Sequence, residues 1–294
     1  MNDYTTKLGL IDKDCGPLPS VSEGMSPQTL SNSHICPPRY QKQVIFYKNG
    51  SRFEIKAPKF DIKGRPSFGG RGKITKFSMK SRRRLLYKVA EIDKSELPIF
   101  LTLTYPDKFS SDPQEWKQNL NNFCKRLKRV FPKLGLIWKL EPQKRGAPHF
   151  HILVWGANYA GLYDQVPRIW YEIAGSGDRK HYLWHCGLLG NGNKHCVSEV
   201  RSWRGVMAYA AKYLGKECTA EGWDYPGRFW GVKSWECIPW AEIVRKSITY
   251  KQGYELIRLM RRYANLKSRA YNSLSIFCNP DYWLDNFSKL FDSG

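Results

Sequence analysis

Two apolar segments joined by a short turn constrain the fold of this chain more than any other feature. Leu134–Glu141 places Leu136, Trp138 and Leu140 two residues apart, and Pro148–Trp155 follows after a turn centred on Gly146. Alternation with a period of two is typical of β-strands, and so short a connection joins antiparallel neighbours. The sequence therefore predicts a central antiparallel hairpin.

Strand and helix patterns are interspersed on both sides of this hairpin. Apolar residues from Trp116 to Val130 recur at helical spacing and predict an amphipathic helix that ends near Phe131. The other predicted elements are a hairpin at Asn49-Gly50 within Gln43–Ile55, strands at Pro98–Thr104 and His195–Arg201, and helices at Lys76–Ile92, Asp164–Ala174 and Trp203–Lys216. Interspersed strands and helices predict an α+β fold, a central antiparallel sheet with helices packed on it.

Three regions of the chain differ in composition. Residues 1–40 are rich in Ser, Pro, Asn and Gly without periodicity, and they predict a flexible N-terminal arm. Residues 41–235 hold the sheet and its helices, and we interpret them as one domain. Residues 236–294 are interpreted as a mostly helical C-terminal extension, with helix predicted from Pro239 to Tyr271.

The second strand of the central hairpin carries a His-x-His pattern. Residues two apart share one face of a strand, so His149 and His151 point the same way while Phe150 and Ile152 face the other side. The antiparallel partner strand offers Glu141 as a third ligand. Two imidazoles and a carboxylate leave coordination positions open for a phosphate oxygen. This donor set does not decide between Mg, Mn and Zn; we expect a divalent ion, with Mg or Mn favoured.

A Tyr-x-x-x-Tyr pattern lies about sixty residues further along the chain. On a helix of 3.6 residues per turn, the side chains of Tyr209, Lys212, Tyr213 and Lys216 share an arc of about 100°. A phenol is a weak nucleophile at neutral pH, and nearby ammonium groups favour the phenolate. We therefore interpret the two tyrosines as nucleophiles and the two lysines as their electrostatic partners; packing of the tyrosines on the sheet is the alternative.

The charge of the chain indicates a polyanionic partner. There are 48 Lys and Arg against 26 Asp and Glu, a formal net charge of +22, which favours nucleic acid. The predicted backbone contacts are Arg82, Arg83 and Arg84 on a helix, with Arg71 and Lys73 in the glycine-rich loop before it. That loop does not fit the phosphate-loop pattern G-x-x-x-x-G-K-[ST].

Several features indicate a protein of the cytoplasm. The first residues lack the apolar segment of a signal peptide, and no run approaches the roughly eighteen apolar residues of a membrane helix. The eight cysteines include no CxxC pair and are expected to stay reduced. The pairs His185-Cys186 and His195-Cys196 lack the usual spacing of zinc ligands, so ordinary structural positions are favoured for them.

Taken together, the His-x-His strand and the Tyr-x-x-x-Tyr helix resemble the HUH endonucleases, which nick DNA to initiate rolling-circle replication. The paired tyrosines are most similar to those of the two-tyrosine initiators of small single-stranded DNA phages, the microvirus-like replication proteins. The resemblance runs from about Ile99 to Lys216, and Thr102-Leu103-Thr104 matches the family's first motif. It implies an HUH-type or ferredoxin-like sheet, with Glu141, His149 and His151 as the metal ligands.

The resemblance also implies a reaction and its partners. One tyrosine attacks a phosphodiester of single-stranded DNA at a replication origin, keeps the 5′ phosphate and frees a 3′-OH for synthesis. The second tyrosine repeats the cleavage and allows the released strand to be closed. A host helicase and polymerase in the bacterial cytoplasm are the implied partners.

Two other interpretations remain open. An HUH transposase or a plasmid relaxase shares this chemistry, although such transposases are often shorter with one tyrosine and relaxases often carry more histidines. A non-catalytic protein that binds single-stranded nucleic acid would need only the basic charge and the aromatic side chains. Metal-dependent nicking separates the enzymes from the binding protein.

Overall fold

The structure of the protein, a computed structural model, describes residues 41–57, 72–175, 177–189, 195–206, 223, 225–263 and 273–291. The chain divides into two compact units. Residues 69–240 form the central unit, and residues 1–68 with 241–294 form the terminal unit. Among the described helices, none is both long enough and apolar enough to cross a membrane.

The central unit is built on a five-stranded antiparallel sheet. Its strands are β3 (Ile99–Thr104), β4 (Gly135–Pro142), β5 (Pro148–Trp155), β6 (Val197–Glu199) and β7 (Trp230–Lys233). They lie in the order β6-β3-β5-β4-β7. The hairpin of β4 and β5 lies at the centre, so the prediction from the alternating segments is confirmed.

Two helices accompany one face of this sheet. Helices α2 (Pro113–Val130) and α3 (Tyr159–Ala174) bury apolar stripes, in agreement with their amphipathic patterns. The ring of Trp170 on α3 meets Phe123 of α2 and Phe150 of β5 in edge-to-face contacts, with centroids 5.8 and 6.3 Å apart. The opposite face of β4 and β5 carries the two histidines and Glu141.

Two more helices complete the described part of the central unit. Helix α1 (Met79–Ala90) begins at Ser78, whose hydroxyl accepts from the backbone N–H of Ser81. Helix α4 (Arg179–His185) begins in the same way at Asp178.

The terminal unit has a second antiparallel sheet with two helices. Its elements are β1 (Lys42–Lys48), β2 (Arg52–Lys56), β8 (Glu242–Ile248), β9 (Leu274–Phe277), α5 (Tyr250–Tyr263) and α6 (Pro280–Phe291). The strands lie in the order β8-β1-β2-β9. Buried Phe46 and Phe53 pack 5.0 Å apart between ring centroids, in a core that also contains Met260 and Trp283.

The C-terminal region corrects two predictions. Helix was expected from Pro239, but Glu242–Ile248 is a strand that pairs with all seven residues of β1. This long-range pairing overrides local helical preference. It also joins residues 41–68 to residues 241–294, so the boundary between the units differs from the predicted domain 41–235. The predicted arm, residues 1–40, lies outside the described residues.

Candidate active site

The register of three central strands brings the predicted metal ligands to one face and one end of the sheet. Glu141 of β4 lies directly opposite His149 of β5, and Thr104 of β3 lies opposite the same histidine on the other side. His151 is flanked in the same way by Lys139 and by Thr102 of β3. Directly opposed residues project to the same side of an antiparallel sheet, so the three predicted ligands share a face.

The three side chains are in close contact. His151 Nε2 lies 2.9 Å from Glu141 Oε2, and the two histidine rings meet edge to face with centroids 4.4 Å apart. Lys139 Nζ donates to the other oxygen, Oε1, of Glu141. Gln143 Nε2 lies 3.4 Å from His149 Nδ1, at the entrance of the turn. The result is a cluster of two imidazoles, one carboxylate and one ammonium.

The electrostatics of the cluster favour neutral imidazole at His149. Burial, with His151 as the next cause, lowers the pKa of His149 to about 3. Burial acts to raise the pKa of Glu141, but the hydrogen bond with His151 and the charge of Lys139 outweigh it and the pKa is lowered. Metal ligands must be neutral imidazoles and ionised carboxylates, and these are the forms that the two residues adopt at pH 7.

The donor set fits a divalent ion only in part. Adjacent ligands of an octahedral ion at about 2.1 Å are about 3.0 Å apart, close to the 2.9 Å between His151 Nε2 and Glu141 Oε2. Within the described ranges, however, no three His, Cys, Asp or Glu side chains form a ready-made metal site. The carboxylate of Glu141 is shared with Lys139, which explains why the pairing inside the cluster competes with a common metal position.

Two further histidines support the site from helix α4, and both were missed at the sequence level. His185 Nε2 accepts from the backbone N–H of Thr104 at 3.2 Å, and its Nδ1 donates to the backbone oxygen of His181 at 3.0 Å. His181 Nε2 donates to the backbone oxygen of Thr104 at 2.7 Å. Their i, i+4 spacing was the signal that could have found them.

These contacts fix the end of β3 beside His149. Thr104 receives bonds at both its N–H and its carbonyl, and the carbonyl also accepts from the indole of Trp170 at 2.6 Å. Because the ring of His185 is committed to backbone groups and the described residues contain no cluster of metal ligands, His185-Cys186 and His195-Cys196 are structural positions.

The predicted nucleophiles Tyr209 and Tyr213 and their partners Lys212 and Lys216 lie outside the described residues. Residues 203–206, immediately before them, are helical. The predicted helix was expected to begin at Trp203, so its first turn agrees with the structure.

The predicted nucleic-acid contacts have different environments. Arg84 and Lys73 are exposed, and Lys73 Nζ lies 3.9 Å from the centroid of the Tyr225 ring. Arg82, in contrast, is only 4% exposed, and its Nε donates to the backbone oxygen of Phe77. Arg82 therefore has a structural role in place of the predicted phosphate contact. Arg83 is half-buried, and Arg71 lies outside the described residues.

A comparison with protein families agrees with the location of this site. Residues 98–218, less than half of the chain, match the ORF2 family of replication-associated proteins. The match contains the three predicted metal ligands and the Tyr-x-x-x-Tyr segment. Over this segment the chain is similar to replication-associated proteins, which supports a replication-initiation function with DNA as the partner. No curated protein and no solved structure matches the chain significantly.

Proposed function

We propose that the protein is a site-specific single-stranded DNA endonuclease and strand-transferase that initiates rolling-circle replication. One observation carries this proposal: His149, His151 and Glu141 cluster on the open face of the sheet, inside the segment similar to replication-associated proteins. A single-stranded nucleic-acid-binding protein would have no need of this cluster, because charge and aromatic side chains suffice for binding.

His149, His151 and Glu141 would hold one divalent ion, with Mg or Mn favoured. When bound, such an ion supplies Lewis-acid stabilisation for the negative charge that develops on the attacked phosphate. The protein contributes neutral imidazole at His149, kept so by burial. It also contributes a fixed strand end, because Thr104 is held by α4 and by Trp170.

The nucleophile in this proposal is the phenol oxygen of Tyr209 or Tyr213. It bonds to the phosphorus as the bond from phosphorus to the 3′ oxygen breaks. The phenol proton is lost to solvent, and the departing 3′ oxygen takes up a proton to become a free 3′-OH. The product is a 5′-phosphotyrosine, in which the phosphodiester energy is kept for the later transfer. Lys212 and Lys216 would favour the phenolate and the charge on the phosphate.

The second tyrosine would attack the regenerated origin, and the 3′-OH released by this cleavage would attack the first phosphotyrosine and close the circle. We further propose the two-tyrosine type of initiator found in small single-stranded DNA phages. Its partners would be origin DNA and the helicase and polymerase of a bacterial host, in whose cytoplasm it would act.

The proposal is tested by covalent capture of DNA. The full chain is incubated with Mn and a 5′-labelled library of random 40-nucleotide single strands, and the adducts are isolated under denaturing conditions and sequenced. We expect a metal-dependent adduct at one sequence, which peptide mapping assigns to Tyr209 or Tyr213. Binding of the library without any adduct would leave a nucleic-acid-binding protein and refute the enzyme.

Variants assign the roles. His149→Ala and His151→Ala should each abolish the adduct while the melting temperature stays close to that of the wild type. His195→Ala serves as a control, because His195 lies in the segment that leads into the edge strand β6. Tyr209→Phe with Tyr213→Phe should abolish the adduct without loss of DNA binding, whereas Tyr254→Phe, an exposed tyrosine of the terminal unit, should change nothing.

A further inference from the structure

A basic groove runs along the edge of the central unit, between the start of α1 and strand β7. Its volume is about 700 Å³, and four cationic residues line it: Lys76, Lys80, Arg84 and Arg228. All four are exposed, and the residues that line the groove include no Asp or Glu. A concave surface with charge of one sign concentrates the field on a bound ion of opposite sign. The groove is therefore suited to a polyanion.

The walls of the groove are held in place by buried contacts. The indole Nε1 of Trp230 donates to the Ser81 hydroxyl at 3.0 Å, which links β7 to α1. Phe77 and Phe229 stack with centroids 5.7 Å apart beneath the groove, and both are almost fully buried. Arg82 braces the same wall from inside, through its bond to the backbone oxygen of Phe77. The groove is preformed, so a ligand would not need to order it.

The register of the sheet relates the groove to the candidate active site. Trp230 lies directly opposite Lys139, and Lys139 lies directly opposite His151. The three side chains therefore share one face, and Trp230 is two strand spacings from His151, a distance of about 10 Å. A nucleic-acid strand advances by at least about 3.4 Å per phosphate. The groove is thus within about three nucleotides of a phosphate bound at the histidines.

We propose that this groove binds the segment of single-stranded DNA next to the cleaved phosphate. Lys76, Arg84 and Arg228 would contact successive phosphates, and the half-buried ring of Trp230 would support one base. The assignment rests on the proposed function for the choice of DNA, while the basic lining and the aromatic floor are independent of it. A small phosphate ligand would occupy only part of a groove of this volume and would not use four cations.

Salt dependence provides the test, because it needs neither the origin sequence nor catalysis. Binding of fluorescent dT12 to the full chain is measured by anisotropy at several NaCl concentrations, without metal. The test variant is Lys76→Gln with Arg84→Gln. The control is Lys125→Gln with Arg129→Gln, which removes the same charges from exposed positions on α2. Removal of one cation that pairs with a phosphate of a single strand lowers the slope of log K against log salt by about 0.7.

We expect the slope for the test variant to fall by about 1.4 and its affinity at low salt to fall at least tenfold, while the control keeps the wild-type slope. Equal slopes in the two variants would overturn the proposal. Arg228→Gln provides a second measurement from the opposite wall, with an expected decrease in slope of about 0.7.

The contribution of Trp230 is tested with an abasic 12-mer. Wild-type protein should bind dT12 at least about fivefold more tightly than the abasic strand, since stacking of a base on an aromatic ring is worth that much. Trp230→Leu should reduce this preference, with its fold checked by thermal melting. Equal affinity of wild-type protein for both strands would exclude the base contact. If the groove is correct and the proposed nickase is not, dT12 binding responds as described while no adduct forms with the random library.

Discussion

His185 should make the stability of the central unit depend on pH between about 4 and 6.5. Its side chain is 3% exposed, Nε2 accepts from the Thr104 N–H, and Nδ1 donates to the His181 carbonyl. A protonated Nε2 could not accept this bond. Burial, followed by the charge of His181, lowers the pKa of His185 from the ordinary 6.5 to about 4.

The magnitude follows from the difference between the folded and unfolded pKa values. Between pH 4 and 6.5 the unfolded chain binds a proton at His185 that the folded chain does not, so falling pH favours unfolding. A difference of about 2.5 in pKa corresponds to about 3.4 kcal/mol at 1.36 kcal/mol per pKa unit. This stability is fully present above pH 6.5, and about 2 kcal/mol of it is lost at pH 5.

The assay compares wild-type protein with His185→Gln, whose amide oxygen can accept the Thr104 N–H and does not titrate. The free energy of unfolding is measured with guanidinium by tryptophan fluorescence at pH 7 and pH 5. We expect the variant to be about 1–2 kcal/mol less stable at pH 7, and this difference to vanish at pH 5. Val166→Ala, a fully buried non-titrating position on α3, should keep its deficit at both pH values. A constant deficit for His185→Gln would refute the reasoning.

Other changes give equally direct outcomes. Gly156→Ala should prevent folding at 37 °C, because φ is +74° and the new Cβ would clash with the Lys133 carbonyl, whereas Gly146→Ala, at φ +79° in open space, should cost only about 1–2 kcal/mol by thermal melting. A fragment of residues 69–240 should melt cooperatively and form the same DNA adduct, because its sheet is complete; a molten fragment would contradict this. Trp170→Phe removes an indole that donates to β3, and should lower the unfolding free energy by about 2 kcal/mol without loss of adduct.

The central hairpin could be predicted because its information is local. Alternation fixed which side chains of β4 and β5 face the helices, and a turn at Gly146, with φ +79°, joins the strands. The placement of Glu141 opposite His149 followed from the same pattern. Elements whose partners are distant in sequence were not predictable in this way: β8 is exposed along most of its length and forms a strand only because β1 pairs with it.

The candidate site shows the same division between local and distant information. The His-x-His face was evident from strand periodicity, whereas the role of α4 depends on a contact between His185 and Thr104, 81 residues apart. The burial of Arg82 was also hidden, because a run of three arginines reads as a solvated or DNA-binding face. Only packing decides which member of such a run faces inward.

The buried ammonium of Lys139 connects the proposed metal site with the basic groove. Lys139 is 4% exposed, donates to Glu141 and lies directly between His151 and Trp230 in the sheet. A buried ammonium requires a negative partner, and Glu141 is the carboxylate that provides it. A divalent ion at His151 and Glu141 would share this carboxylate with Lys139, so each would reduce the other's attraction to it. A DNA phosphate at the site would bring negative charge to both cations and relieve that competition. In the proposed mechanism, metal and DNA should therefore bind more tightly together than separately.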